Sequence, residues 1–289
     1  MSSMRDIKQR ISNISSVEQI IRAMDMVAST KLLKARAQLD GVRPIYYELK
    51  RITEELGNNS SAKSHIFYKE HKVRNSLYIV LTSDRGLSGS YNANILSKAL
   101  EHMEQEKNEK LIVVGSKGNE YFRKKNKNII HAVTDVTDTQ VYYSSEKVAK
   151  WLLDIYLSGE VDEVFIAYTH FKTVLSYVPT VEKLLPLAAN PAKDTDYNSK
   201  NYEPDIYTFI DNVVPLYLHM NLFRAYSESH TSEQAARMVN MDAAGKNASD
   251  LIDELNHMYN RKRQADITQE LSEIVGSVNV LNKGGKDES

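Results

Sequence analysis

Few residues in this chain are placed to do chemistry. SDRGLSGSYN (83–92) follows an apolar run and precedes a helical pattern, which is where α/β folds bind phosphate. It does not fit GxGxxG and lacks the GK[ST] ending of a P-loop, and Gly115-Ser-Lys-Gly118 is equally incomplete. Both read as tight strand-to-helix turns, with no nucleotide cofactor implied. The eight histidines (65, 71, 102, 131, 170, 219, 230 and 257) include no HxxxH or HExxH arrangement, so none is marked as a metal ligand or general base. Cysteine is absent, which removes disulfides, thiolate nucleophiles and zinc–thiolate sites together.

A different set of polar residues is more informative. Arg261, Lys262 and Arg263 form a basic cluster, followed by Gln264, Thr268 and Glu270. Here the apolar phase slips: Met241, Ala248 and Leu255 keep one heptad frame, while Ile267, Ile274 and Leu281 keep another. Lys262 and Gln269 take positions that the first frame would keep apolar. Two readings stay open. One is a solvated face with pairing between residues four apart. The other is a helix that leaves its partner at this point and meets a different surface.

The element that positions these residues is a helix expected over about Asp205 to Leu281. Between Pro215 and Gly276 it has no proline and one glycine, Gly245, and apolar residues return every three or four positions. Leu251 and Met258 are placed on its seam with Met238, Met241, Ala244, Ala248 and Leu255. At 1.5 Å per residue such a helix reaches roughly 100 Å, so it needs a partner along its length. The N-terminal segment supplies one. Ile7, Ile14, Ile21, Ala28, Ala35, Val42, Leu49 and Leu56 lie seven apart, a coiled-coil seam. Gly41 and Pro44 are expected to kink or interrupt it.

Between the two helices the rhythm changes. LYIVLTS (77–83), LIVVGS (111–116), NIIHAV (128–133) and EVFIAYTH (163–170) read as strands alternating with helices, hence a mostly parallel sheet covered by helices. The fold class is α/β plus a long antiparallel coiled coil. Its expected segments are an N-terminal helix (1–57), a linker (58–75), an inserted α/β domain (76–203), a C-terminal helix (204–281) and a disordered tail (282–289). With 42% hydrophobic residues, 26% charged residues and a net charge of −1, the 289-residue chain has a core but no electrostatic pull toward nucleic acid. It lacks an apolar signal or membrane-length run, and is expected to be cytoplasmic, meeting a membrane only through a partner.

IKQRISNISSVEQIIRAMDMVASTKLLKAR (7–36), SDRGLSGSYN and SEQAARMVNMDAAGKNASDLIDELNHMYNRKRQADITQELSEIVGSVNVL (232–281) are similar to the corresponding stretches of the γ subunit of bacterial F-type ATP synthases. The resemblance implies a rotor: an antiparallel helix pair inside a ring of three α and three β subunits, with the α/β domain at its foot beside the ε subunit and the membrane ring of c subunits. It implies a location on the cytoplasmic face of the plasma membrane, ion transport coupled to ATP synthesis, and no catalytic residue, metal or cofactor in this chain. By the same resemblance, Met24, Lys31, Arg237, Gln264 and Thr268 would contact the β subunits. Ile267, Leu271, Ile274, Val278 and Leu281 would form a tip turning in an apolar bearing. For Met24 packing in the seam, and for Lys31 a snorkelling surface position, stand equally open. Gly245 departs from the threonine or serine common there and softens the helix locally. The competing readings are a nucleotide hydrolase with coiled-coil arms and a passive scaffold.

Overall fold

Helix α1 runs from Met4 to Gly57. Ser3 and Asp6 start it with a reciprocal cap: the Asp6 N–H donates to Ser3 Oγ at 3.2 Å, and the Ser3 N–H donates to Asp6 Oδ2 at 3.0 Å. The Ser3 N–H beside it holds the Asp6 carboxyl below its ordinary pKa. Asp205 does the same for the last helix, accepting from the N–H groups of Tyr207 and Thr208 at 2.8 and 3.0 Å. That helix, α5, spans Ile206–Gly284. The computed structural model describes residues 3–70, 72–103, 108–188, 203 and 205–284, with side chains to residue 275.

Two points on these helices bear on what the sequence suggests. Pro44 lies inside α1, yet the helix is continuous through it. Leu39, Val42 and Tyr46, on either side, are all buried, and this packing outweighs the lost hydrogen bond. Of the expected tail, Asn282–Gly284 belong to α5, and 285–289 lie outside the described residues.

Between the helices lie β1 (Asn75–Leu81), α2 (Tyr91–Met103), β2 (Asn108–Val114), α3 (Ser116–Lys124), β3 (Ile129–Val133), α4 (Val141–Leu157), β4 (Glu163–Thr173) and β5 (Ser176–Leu185). The sheet order is β3-β2-β1-β4-β5. The first four strands are parallel, while β5 returns antiparallel to β4 in a hairpin. Both faces of β1 are covered, which is why it reads as a continuous apolar run. Leu77, Ile79 and Leu81 face α4 and the α5 residues Val214, Leu218 and Leu222. Tyr78 and Val80 face α2 and Phe122 of α3.

The chain divides into two compact units: residues Met1–Met26 with Met241–Ser289, and residues Val27–Asn240. In the first, the ends of α1 and α5 pair antiparallel. Ile7, Met241, Ala248 and Leu255 are buried there, and a Cβ on Gly245 would sit 3.7 Å from Ile21 Cγ2. Leu251 and Met258, expected on this seam, are 42% and 41% exposed. Ile252 and Tyr259 take the inner positions instead. In the second unit, the rest of the two helices packs on the sheet.

Candidate functional site

The loop after β1 spends its polar groups on the protein itself. The Asp84 carboxylate accepts from the Ser116 N–H and hydroxyl, both at 2.8 Å, and from the Val136 N–H at 3.2 Å. It therefore fills the N-terminus of α3, where a phosphate would otherwise bind. Asn92 closes the loop, accepting from the Ser83 N–H at 3.0 Å and donating to Ser83 Oγ at 2.7 Å.

Gly89 in this loop, and Gly115 after β2, serve close approach. Gly89 has φ +58, and a Cβ there would meet Asn240 Nδ2 of α5 at 2.6 Å. Gly115 has φ +98, and a Cβ would meet the Thr82 carbonyl oxygen at 2.3 Å. From α5, the Arg237 guanidinium donates to the Gly86 carbonyl at 3.2 Å and pairs with Glu233 at 2.7 Å. The Tyr91 hydroxyl donates to the Ser229 carbonyl at 3.0 Å. SDRGLSGSYN is thus a loop that grips α5.

The stretch of α5 packed on the sheet buries polar side chains among its apolar ones, and the sequence reading missed them. Asn221, Arg224, Ser227, Glu228, Ser229, Thr231, Ser232 and Gln234 are each at most 5% exposed. Arg224 lies at the centre. It donates to the Tyr168 hydroxyl of β4, to Glu182 of β5 at 2.9 Å each and to Asn221 at 2.7 Å, with its guanidinium over the rings of Tyr46 and Tyr168. Burial opposes its charge, but Tyr168, Tyr46 and Glu182 together hold its pKa above the ordinary value. Glu228 is bonded by His170 of β4 and by Arg43 of α1, at 3.3 Å from the latter. Arg43 also donates to the Phe171 carbonyl at 3.0 Å. One sequence signal could have found this face: between His219 and Arg237, charged and hydroxyl residues occupy every side of a helix long enough to need a packed one.

The residues expected to act are scattered along the helices. Lys31 pairs with Asp138, 3.2 Å away in the β3–α4 loop, and Asp138 also lies 3.5 Å from His230. Met24 is half-buried on α1. Arg237 is buried, with its partners drawn from its own chain. Gln264 and Thr268 are exposed, and the Thr268 hydroxyl donates to the Gln264 carbonyl at 2.9 Å. Lys262 pairs with Asp266 at 2.8 Å.

The phase slip coincides with the end of the helix pair. Counting residue for residue from Ile21 opposite Gly245, Met4 falls opposite about residue 262. Past it, Ile267, Leu271 and Ile274 are 46%, 58% and 60% exposed. The side chains of Val278 and Leu281 lie outside the described residues.

An apolar cavity bounded by Leu81, Val114, Val148, Leu222 and Tyr226 holds about 10 Å³, room for at most one water. Among the described residues, no group of three His, Asp or Glu side chains is placed to hold a metal. No helix among them is long and apolar enough to cross a membrane.

Comparison with known proteins gives a consistent result. A family model described as ATP synthase matches residues 3–281. The ATP synthase gamma chain of Alkaliphilus metalliredigens is 36% identical, over 96% of this chain and 98% of its own. That of Staphylococcus carnosus is 38% identical, over 97% of this chain and all of its own. Among solved structures, a chain of the Euglena gracilis mitochondrial ATP synthase superposes with a TM-score of 0.70 at 18% identity, covering 98% of this chain and 96% of that one. A chain of the Tetrahymena thermophila central stalk and c-ring gives 0.61 at 23% identity, covering 78% and 99%. At these identities the solved structures establish the shared fold.

Proposed function

This chain belongs to the ATP synthase gamma-chain family, and from that premise we propose how its residues do the work of the central-stalk rotor in a rotary enzyme. The single-stranded end of α5 carries the reading. Where α1 runs out, Gln264 and Thr268 are exposed beside the uncovered Ile267, Leu271 and Ile274, a surface suited to another protein. The tip, including Val278 and Leu281, turns in an apolar bearing formed by the ring of α and β subunits. Met24, Lys31, Arg237, Gln264 and Thr268 meet the β subunits in turn, and the asymmetry of one helix emerging from two favours one β subunit over the others. Coupling is then a difference in contact free energy between ring states. Modest polar contacts suit this, because each must release as the shaft turns.

The inserted domain (76–203), between helical segments 1–57 and 204–281, joins the ε subunit and the c-ring, and places the protein peripherally on the cytoplasmic face of the plasma membrane. In this reading the chain carries no catalytic site of its own; Asp84 caps the N-terminus of α3, which removes one place where a phosphate could bind. Replacing Arg237, Gln264 and Thr268 together with alanine lowers ion pumping per ATP hydrolysed without preventing assembly. The Gln264/Thr268 double variant separates the exposed contacts from the buried arginine. Unchanged coupling in both reconstituted complexes would favour a passive scaffold.

A further inference from the structure

We infer that the buried polar face of α5 is the joint through which turning force passes between the α/β sheet and the helices packed on it. The inference rests on the rotor reading, and deepens it. A part that transmits torque must resist rotation of one element against another. The hydrophobic effect is non-directional and does not by itself fix one register. Hydrogen-bonded charges have a fixed register, and one-to-one partners are lost on a small rotation.

The bonds from this face reach α1, β4, β5 and the loop after β1. Arg224 meets β4 and β5 through Tyr168 and Glu182. Glu228 meets α1 and β4 through Arg43 and His170. The Ser229 hydroxyl accepts from the Thr169 N–H at 3.0 Å, and the Ser232 hydroxyl donates to the Thr169 carbonyl at 3.2 Å. At the far end, Arg237 and Asn240 lock the loop at Gly86 and Gly89.

Stability alone does not call for such a face. A buried ion pair is commonly replaced by apolar residues of similar volume with no loss of stability, because desolvation offsets the attraction. That separates the joint from an ordinary structural role. Only Arg224 and Glu228 are deeply buried; Arg43, His170 and Glu182 keep 27%, 34% and 38% of their side chains in solvent. Changing Arg224→Met and Glu228→Met together therefore strands no deeply buried charge.

The test places this double variant in the assembled ATP synthase and attaches a rotation probe to the α/β domain. The expected result is a thermal midpoint of the full chain that is unchanged or raised, with a loss of torsional stiffness read as a broader angular spread of the probe under load. A folded variant as stiff as wild type would overturn the joint. A second variant, Glu182→Ala with Ser232→Ala, leaves the Arg224–Glu228 ion pair, 3.5 Å apart, intact and cuts bonds to β5 and β4. It should show a smaller loss of stiffness, and wild-type stiffness there would equally overturn the proposal. A wild-type complex in which the probe never turns would overturn the rotor reading itself, and with it the joint.

Discussion

His230 sits where burial and charge oppose each other. Burial lowers its pKa below 6.5, against the pull of Glu233 and Asp138, while Lys31 and Arg237 add to the lowering. Between the folded pKa and 6.5, the unfolded chain binds more protons than the folded one. Stability therefore rises with pH across that window and is lost as pH falls below 6.5. The thermal midpoint should drop as the pH is lowered through this range, and His230→Gln should flatten the slope. Equal slopes in both proteins would assign the effect to other groups. Gly89 makes a second prediction at this scale. Alanine there must adopt a left-handed backbone and displace the Asn240 amide, so Gly89→Ala should cost about 1–2 kcal/mol in denaturant unfolding. A neutral result would mean that the loop yields freely and grips nothing.

Helix α5 carries one glycine in its long middle, and the sequence suggests a soft point there. Gly245 has a helical backbone, and an added Cβ would meet only Ile21 Cγ2 at 3.7 Å, an ordinary contact. Gly245→Ala should therefore stabilise the chain by about 0.5–1 kcal/mol, by lowering the entropy of the unfolded chain and adding a seam contact. A loss of stability would mean that the seam is tighter than the contact distance indicates. The N-terminal seam was legible because it is local and strictly periodic: Ala28, Ala35, Val42 and Leu56 are all buried. The strands were legible as apolar runs. The α5 seam was legible only in part: Met241, Ala248 and Leu255 keep the heptad, but the second inner position falls four residues after each, at Gly245, Ile252 and Tyr259, and not three, where Leu251 and Met258 stand. Pro44 does not interrupt α1, because the residues beside it are packed. The polar face of α5 was not legible: Arg224 finds Tyr168 and Glu182 at separations of 56 and 42 residues, pairings no short spacing encodes.

At the scale of the molecule, the helices divide their residues between two tasks. Where α1 accompanies α5, apolar side chains close a seam. Past about residue 262, the same residue types face solvent. Spending apolar residues on an exposed helix does nothing for the fold, and a contiguous exposed apolar stripe marks a surface used by another protein. The change of heptad frame marked the place in the sequence, but the reason for it lies 260 residues away, in the position where the other helix begins. Replacing Ile267, Leu271 and Ile274 together with glutamine should leave the chain's stability within about 0.5 kcal/mol, because exposed positions contribute little to folding. The reconstituted complex should lose ATP synthesis driven by an ion gradient, since the tip would no longer turn in an apolar bearing. If the triple variant unfolded early, these residues would belong to the fold. If synthesis ran at the wild-type rate, the end of α5 would be a bystander and the coupling contacts would have to lie further down the shaft.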